Sequence, residues 1–101
     1  MITMIAVVNH IKARNKESYE KIIQLFKNRA RLVDKFPGFK GFKLFCSDDE
    51  LEIMVMTIWK DRESFKSWVD SEEFKRGHAR TRNTNIDAES RGVVYEIIVD
   101  E

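Results

Sequence analysis

The first strand constrains this chain more than any other stretch. "ITMIAVVNHI" is β-branched and apolar at both parities. Ile5, Val7 and Asn9 project to one side of a strand, and Met4, Ala6, Val8 and His10 project to the other. Such a strand needs cover on both of its sides. Any fold proposed for the chain has to supply two layers of contact around it.

From Asn15 the period changes to that of a helix. Tyr19, Ile22, Ile23, Phe26, Ala30 and Val33 recur at helical spacing, with Asn15 as the expected N-cap. "KFPGFKGF" ends this helix, because Pro37 disfavours helical geometry at Phe36 and Gly38 supplies a turn. "FKGFKLFC" and "LEIMVMTIW" read as two strands joined by the polar "SDDE". Asp61 is the expected cap of a short helix carrying Phe65, Trp68 and Val69, and Ser71 caps a second segment with Phe74 and His78. "RTRNTNIDAESRG" has almost no apolar content and predicts a long surface loop; "VVYEIIVD" then closes the chain as a strand.

The resulting order, β-α-β-β-α-β, predicts an α+β protein of the ferredoxin-like kind. Four strands form one antiparallel sheet, helices cover one face, and residues 1–101 make a single domain. The other face still carries apolar side chains from several strands. Face-to-face dimerisation into a closed β-barrel would supply the missing cover, so a homodimer is expected.

Composition narrows the partners. Eighteen basic against seventeen acidic residues leave a net charge of +1, which argues against a broad footprint for nucleic acid or anionic membrane. Cys46 is the only cysteine, so there is neither a disulfide framework nor a cysteine metal cluster, and it reads as a small hydrophobe in its strand. No stretch approaches the ~20 apolar residues of a membrane span, and Asn9 and His10 interrupt the first apolar run too early for a signal peptide. A cytoplasmic location follows as the expectation.

Familiar catalytic signatures are absent from the sequence. Gly38 and Gly41 lie at a helix-to-strand junction, the reverse of the order a phosphate loop needs, and no nucleophile-elbow pattern occurs. Three residues stand out instead. His78 follows Phe74 by four and shares its helix face. Taken alone, it is either a partly exposed histidine near a helix end or a ligand for a metal or heme iron. Asn9 sits on a strand face with Ile5 and Val7, where an unpartnered amide is costly to bury. It is either a strand-end residue bonded to backbone or a functional group. Trp68 alone reads as core.

Together these residues carry a family resemblance. Asn9, "NRARLVDKFPGFKGFKL", "MTIWKDRESFKSW" and "FKRGH" resemble the IsdG-type heme-degrading monooxygenases, within the antibiotic biosynthesis monooxygenase superfamily of dimeric ferredoxin-like barrels. "PGFKGF" and "TIWKDRESF" are shared across that superfamily, Trp59 included; the combination Asn9, Trp68 and His78 marks the heme-degrading branch. The resemblance implies that His78 is the axial ligand to heme iron and leaves the opposite side open for oxygen. It implies that Asn9 points its amide to that open side and that Trp68 presses on the porphyrin face and distorts it. Heme would be both cofactor and substrate, opened with O2 and electrons from an external donor, a reductase or small reductant, with release of iron. Phe26, Phe65, Phe74 and Val55 are pocket liners or core residues, and Arg29 is a propionate partner or an exposed helix arginine. His10, of opposite parity to Asn9, faces away from this pocket and toward the dimer barrel. Two other functions remain open at this point: a heme-binding or trafficking protein without turnover, and a cofactor-independent monooxygenase of an aromatic polyketide or quinol.

Overall fold

A computed structural model describes residues 3–29, 31–79 and 86–101, the side chains of 77–79 excepted. Its elements run β1 (Ile5–Ala13), α1 (Lys16–Lys27), a 3-10 helix (Leu32–Lys35), β2 (Phe39–Ser47), β3 (Glu52–Trp59), α2 (Arg62–Val69), α3 (Glu72–Ala79) and β4 (Ala88–Glu96). The sheet order is β2-β3-β1-β4, with every neighbouring pair antiparallel. This is the expected ferredoxin-like arrangement. The three expected caps form: Asn15 Oδ1 accepts from the Ser18 amide (2.8 Å), Asp61 Oδ1 from the Ser64 amide (2.8 Å), and Ser71 Oγ from the Phe74 amide (3.1 Å). Each satisfies a backbone donor that the first turn leaves without a helical acceptor.

Some boundaries differ from the sequence expectation. The first helix does not run to Val33. It ends at Lys27, where the Asn28 amide returns to the Gln24 carbonyl (3.0 Å). Arg31 then takes a left-handed conformation (φ 59°), and Val33 reaches the core from the separate 3-10 helix. Ala30 lies outside the described residues. The physical reason for the break is a shared carboxylate: Asp34 draws in Arg29 (2.9 Å) and Arg31 (2.6 Å), which folds the chain back on itself. Helical periodicity runs across this corner because the 3-10 helix also turns Val33 inward, to the cluster of Ile5 and Trp59.

The polar stretch before the last strand is likewise only partly a loop. Positions 80–85 lie outside the described residues, but β4 begins at Ala88, so "AESRG" is strand. Its backbone pairs fully with β1, Glu89 opposite Lys12 and Arg91 opposite His10, while Arg14 holds Asp87 (2.6 Å) and Glu89 (2.8 Å). An edge strand whose side chains stay wet carries no apolar alternation to read. At its far end β4 stops at Glu96; one further bond, Ile97 amide to Met4 carbonyl (3.0 Å), follows it, and Ile98 and Val99 are 80% and 69% exposed. Cys46 also departs from expectation, since it is exposed near the end of β2 and not a packed hydrophobe.

The helices and the 3-10 helix pack on one side of the sheet, and two apolar clusters form there. One gathers Ile5, Val33 and Trp59, with Phe36, Phe65 and Trp68 among the rings against it. The other gathers Ile11, Ala13, Tyr19, Ile22, Ile53 and Val55. The opposite side carries Phe45, Met54, Met56, Ile58, Val93 and Tyr95, as their pairing with β1 and β3 dictates. Phe45 and Tyr95 are more than two-fifths exposed there.

Candidate active site

The site begins at the middle of β1. Val7 packs with the Trp59 cluster and Ile11 belongs to the Tyr19 cluster. Asn9 stands between them on the same strand face, half-buried, and marks the place where the helix-side core divides. Its direct neighbours across the sheet are Val55 on β3 and Gly92 on β4. A side chain at Gly92 would meet none of the described residues within 4 Å. Val94, which pairs with Val7 and shares its side, is 36% exposed although it faces the helix layer. Among the described residues, nothing fills the space beside Gly92 and Val94 on this side of the sheet.

Trp68 stands on the helix side of the same region, carried by α2. It is half-buried, and three rings surround it: Phe36 at 5.3 Å and 67°, Phe74 at 5.7 Å and 87°, and Trp59 at 6.4 Å and 30°. Trp59 is wholly buried, and its indole N–H is satisfied by Thr57 Oγ1 at 2.9 Å. An indole bordered by rings and still partly open is suited to a flat apolar ligand. His78 lies in the last turn of α3, one turn beyond Phe74, whose ring meets Trp68. The His78 side chain lies outside the described residues.

The weaker expectations divide. Phe74 belongs with Trp68, as above. Phe26 packs against the Tyr19 cluster, with its ring 6.5 Å from Phe42. Phe65 meets Trp59 at 5.8 Å and Val55 is buried, so both act as core. Arg29 does not stand on the first helix as expected, because that helix has ended two residues earlier. Its guanidinium donates to Asp34 and lies 4.0 Å above the Phe42 ring. Burial pushes the Asp34 carboxyl up, but the hydrogen bonds and charges of Arg31 and Arg29 outweigh it and hold the group below the ordinary carboxylate range. His10 projects to the opposite side of the sheet, as parity requires, with Nε2 3.3 Å from the Tyr95 hydroxyl.

This geometry has a family around it. The pattern of the antibiotic biosynthesis monooxygenases matches residues 4–80, from β1 to the end of α3. The chain belongs to the antibiotic biosynthesis monooxygenase family. Within it, the chain is 33% identical over 106 residues to a protein of Listeria monocytogenes named heme-degrading monooxygenase, covering 94% of this chain and 87% of that one. Among solved structures it resembles the heme-degrader MhuD of Mycobacterium tuberculosis with two hemes bound (TM-score 0.77, 22% identity, 96% of this chain and 98% of that one). It also resembles SnoaB, a cofactor-independent oxygenase from Streptomyces nogalater (TM-score 0.77, 15% identity, 97% and 96% covered). These two structural likenesses establish the shared fold. As a member of the family this protein is a monooxygenase, and Asn9, Trp68 and His78 all fall within the matched span.

Two residues that shape this family member's site escaped the sequence reading. Gly92 looked like loop glycine, because the strand around it has no apolar alternation. Phe36 looked like a helix terminator before Pro37, yet it is the ring nearest Trp68. Only the cluster of five large rings in "KFPGF" and "TIWKDRESFKSW" hinted that one aromatic group was being assembled.

Proposed function

We propose that this chain is a heme-degrading monooxygenase that takes heme as cofactor and substrate. The observation that carries the reading is the half-buried Asn9 beside the space at Gly92, on the sheet side that Trp68 covers. A polar amide on an apolar strand face, next to a position where the described residues leave room, fits a planar ligand with a reactive face, as does the partly open Trp68 on the same side of the sheet. The relationship to the Listeria monocytogenes enzyme supports the same conclusion. In this reading heme supplies oxygen activation at its iron and the carbon skeleton that is opened, with electrons from an external donor. His78 binds the iron from α3. Asn9 orients the oxygen side through its amide N–H, and Trp68 presses on the porphyrin plane from α2. Phe74 and Phe26 border the ligand. Arg29 already donates to Asp34 through one nitrogen, so a propionate would have to share its guanidinium, which makes it the weakest member of the set. The apolar sheet face away from the site is covered by a second copy, giving a homodimer.

The test is a hemin titration followed in the Soret region, continued with ascorbate under air. A saturable Soret shift followed by bleaching and iron release is expected, with the shift lost or greatly weakened in His78→Ala. A stable Soret band under reductant would instead make the protein a heme carrier. The likeness to SnoaB favours a second reading, cofactor-independent oxygenation of a phenolic substrate. Absence of any Soret shift, with turnover of such a substrate, would establish it in place of the first.

A further inference from the structure

We propose that Phe36 is the positioning residue for Trp68: its ring fixes where the indole stands against a bound tetrapyrrole. The inference rests on the heme reading above and deepens it, since Phe36 acts through Trp68.

The helix that carries Trp68 is loosely held by burial. No residue of α2 is buried, so its seat on the sheet depends on the rings it shares with its neighbours. Phe36 is the nearest of these rings and stands steeply to both tryptophans, at 67° to Trp68 and 75° to Trp59. Trp59 is immobilised in the core. Phe36 thus touches both a wholly buried indole and a partly exposed one, and closes a three-ring group with them.

Phe36 is itself held at the backbone. Pro37 restricts Phe36 to extended geometry, and it adopts φ −75° and ψ 136°. Its amide donates to the Val33 carbonyl (2.9 Å), and its carbonyl accepts from the Phe39 amide (3.1 Å). On one side the corner is tied by Asp34 to Arg29 and Arg31. On the other, the Gly38 carbonyl accepts from the Lys60 amide (2.8 Å), just before α2 begins. A ring on so constrained a corner transmits a defined position to Trp68. Phe39 offers a matched comparison, because its ring meets Trp59 at 5.6 Å.

The chain has two tryptophans, so 5-fluorotryptophan labelling gives one 19F resonance each, assigned with Trp68→Phe. Phe36→Leu, Phe36→Tyr and Phe39→Leu are compared without ligand and after hemin loading. Phe36→Leu is expected to shift or broaden the Trp68 resonance without ligand. In the hemin-loaded protein it should alter the ferric EPR spectrum, with hemin affinity changed less than about threefold and degradation slowed on the order of tenfold, as small misplacements of a reacting group do. Phe36→Tyr should retain the wild-type signals, and Phe39→Leu should move the Trp59 resonance alone. Should Phe36→Leu fail to fold, Phe36→Met loses the same ring at closer volume and is read the same way. An unmoved Trp68 resonance and EPR spectrum in Phe36→Leu would overturn the proposal, as would equal effects from Phe39→Leu. Wild-type protein that binds no hemin would sink the heme reading itself, and with it the ligand-positioning role, whatever the ligand-free resonances show.

Discussion

At the scale of single residues, Asn9 and Gly38 show how different the demands on one position are. Asn9 is a half-buried polar group on an apolar strand face, and the room that the described residues leave at its neighbour Gly92 means that removing its amide costs little packing among them. Asn9→Ala is therefore expected to fold and bind hemin within about threefold of wild type, while degradation slows by roughly tenfold to hundredfold, the scale of losing one oriented donor. A carrier protein would show no such split between binding and turnover. Gly38 is the reverse case. It holds φ +89°, and a Cβ there would collide with the Ser64 side chain at the start of α2. Gly38→Ala combines a disfavoured backbone with a steric clash and should lower stability by about 2–4 kcal/mol. Urea unfolding checks this, and a midpoint equal to wild type would mean that the turn repacks freely.

At the scale of elements, the corner between α1 and β2 joins stability to the site. Asp34 pairs with both Arg29 and Arg31 there and sits two residues before Phe36, the ring against Trp68. Its pKa in the folded protein lies below the ordinary 3.8, so the folded state prefers the charged form. The stabilisation is therefore fully present well above 3.8 and is lost as the pH falls through that value toward the folded pKa. Asp34→Asn should lower the urea midpoint at pH 6, and the gap to wild type should narrow below about pH 4 and close in stronger acid. A gap that stays constant down to acid would show that the two ion pairs contribute nothing specific to charge. The break in the first helix was not legible in the sequence for the same reason: it depends on a carboxylate five residues from its arginine, and helical spacing runs across it unchanged.

At the scale of the whole molecule, the unsolved part of the first strand is its second cover. Val8 is buried by its own sheet neighbours, but Phe45, Met54 and Tyr95 lie open on that face, with His10 bonded to Tyr95 at one end. An apolar sheet face of this kind is satisfied most simply by another copy of itself. Sedimentation or light scattering should give the mass of a dimer for wild type. Tyr95→Glu, which places like charges near the two-fold contact, should shift it toward half that mass while leaving the circular dichroism of the fold in place. A wild-type monomer at micromolar concentration would remove the barrel from the account.

The sequence by itself determined the elements that rest on local physics. Alternation, helical period, the Asn15, Asp61 and Ser71 caps and the Pro37–Gly38 turn produced the element order, and the order produced the sheet. Residue type and setting also drew attention to Asn9 and His78, while Trp68 joined them only through the family resemblance. Tertiary structure alone decided the rest. That Gly92 faces Asn9, that β4 starts within a polar run, and that Phe36 touches both Trp59 and Trp68 are all facts of long-range pairing. Backbone ladders and ring contacts between distant segments leave no periodic mark on the chain, so only the folded arrangement reveals them.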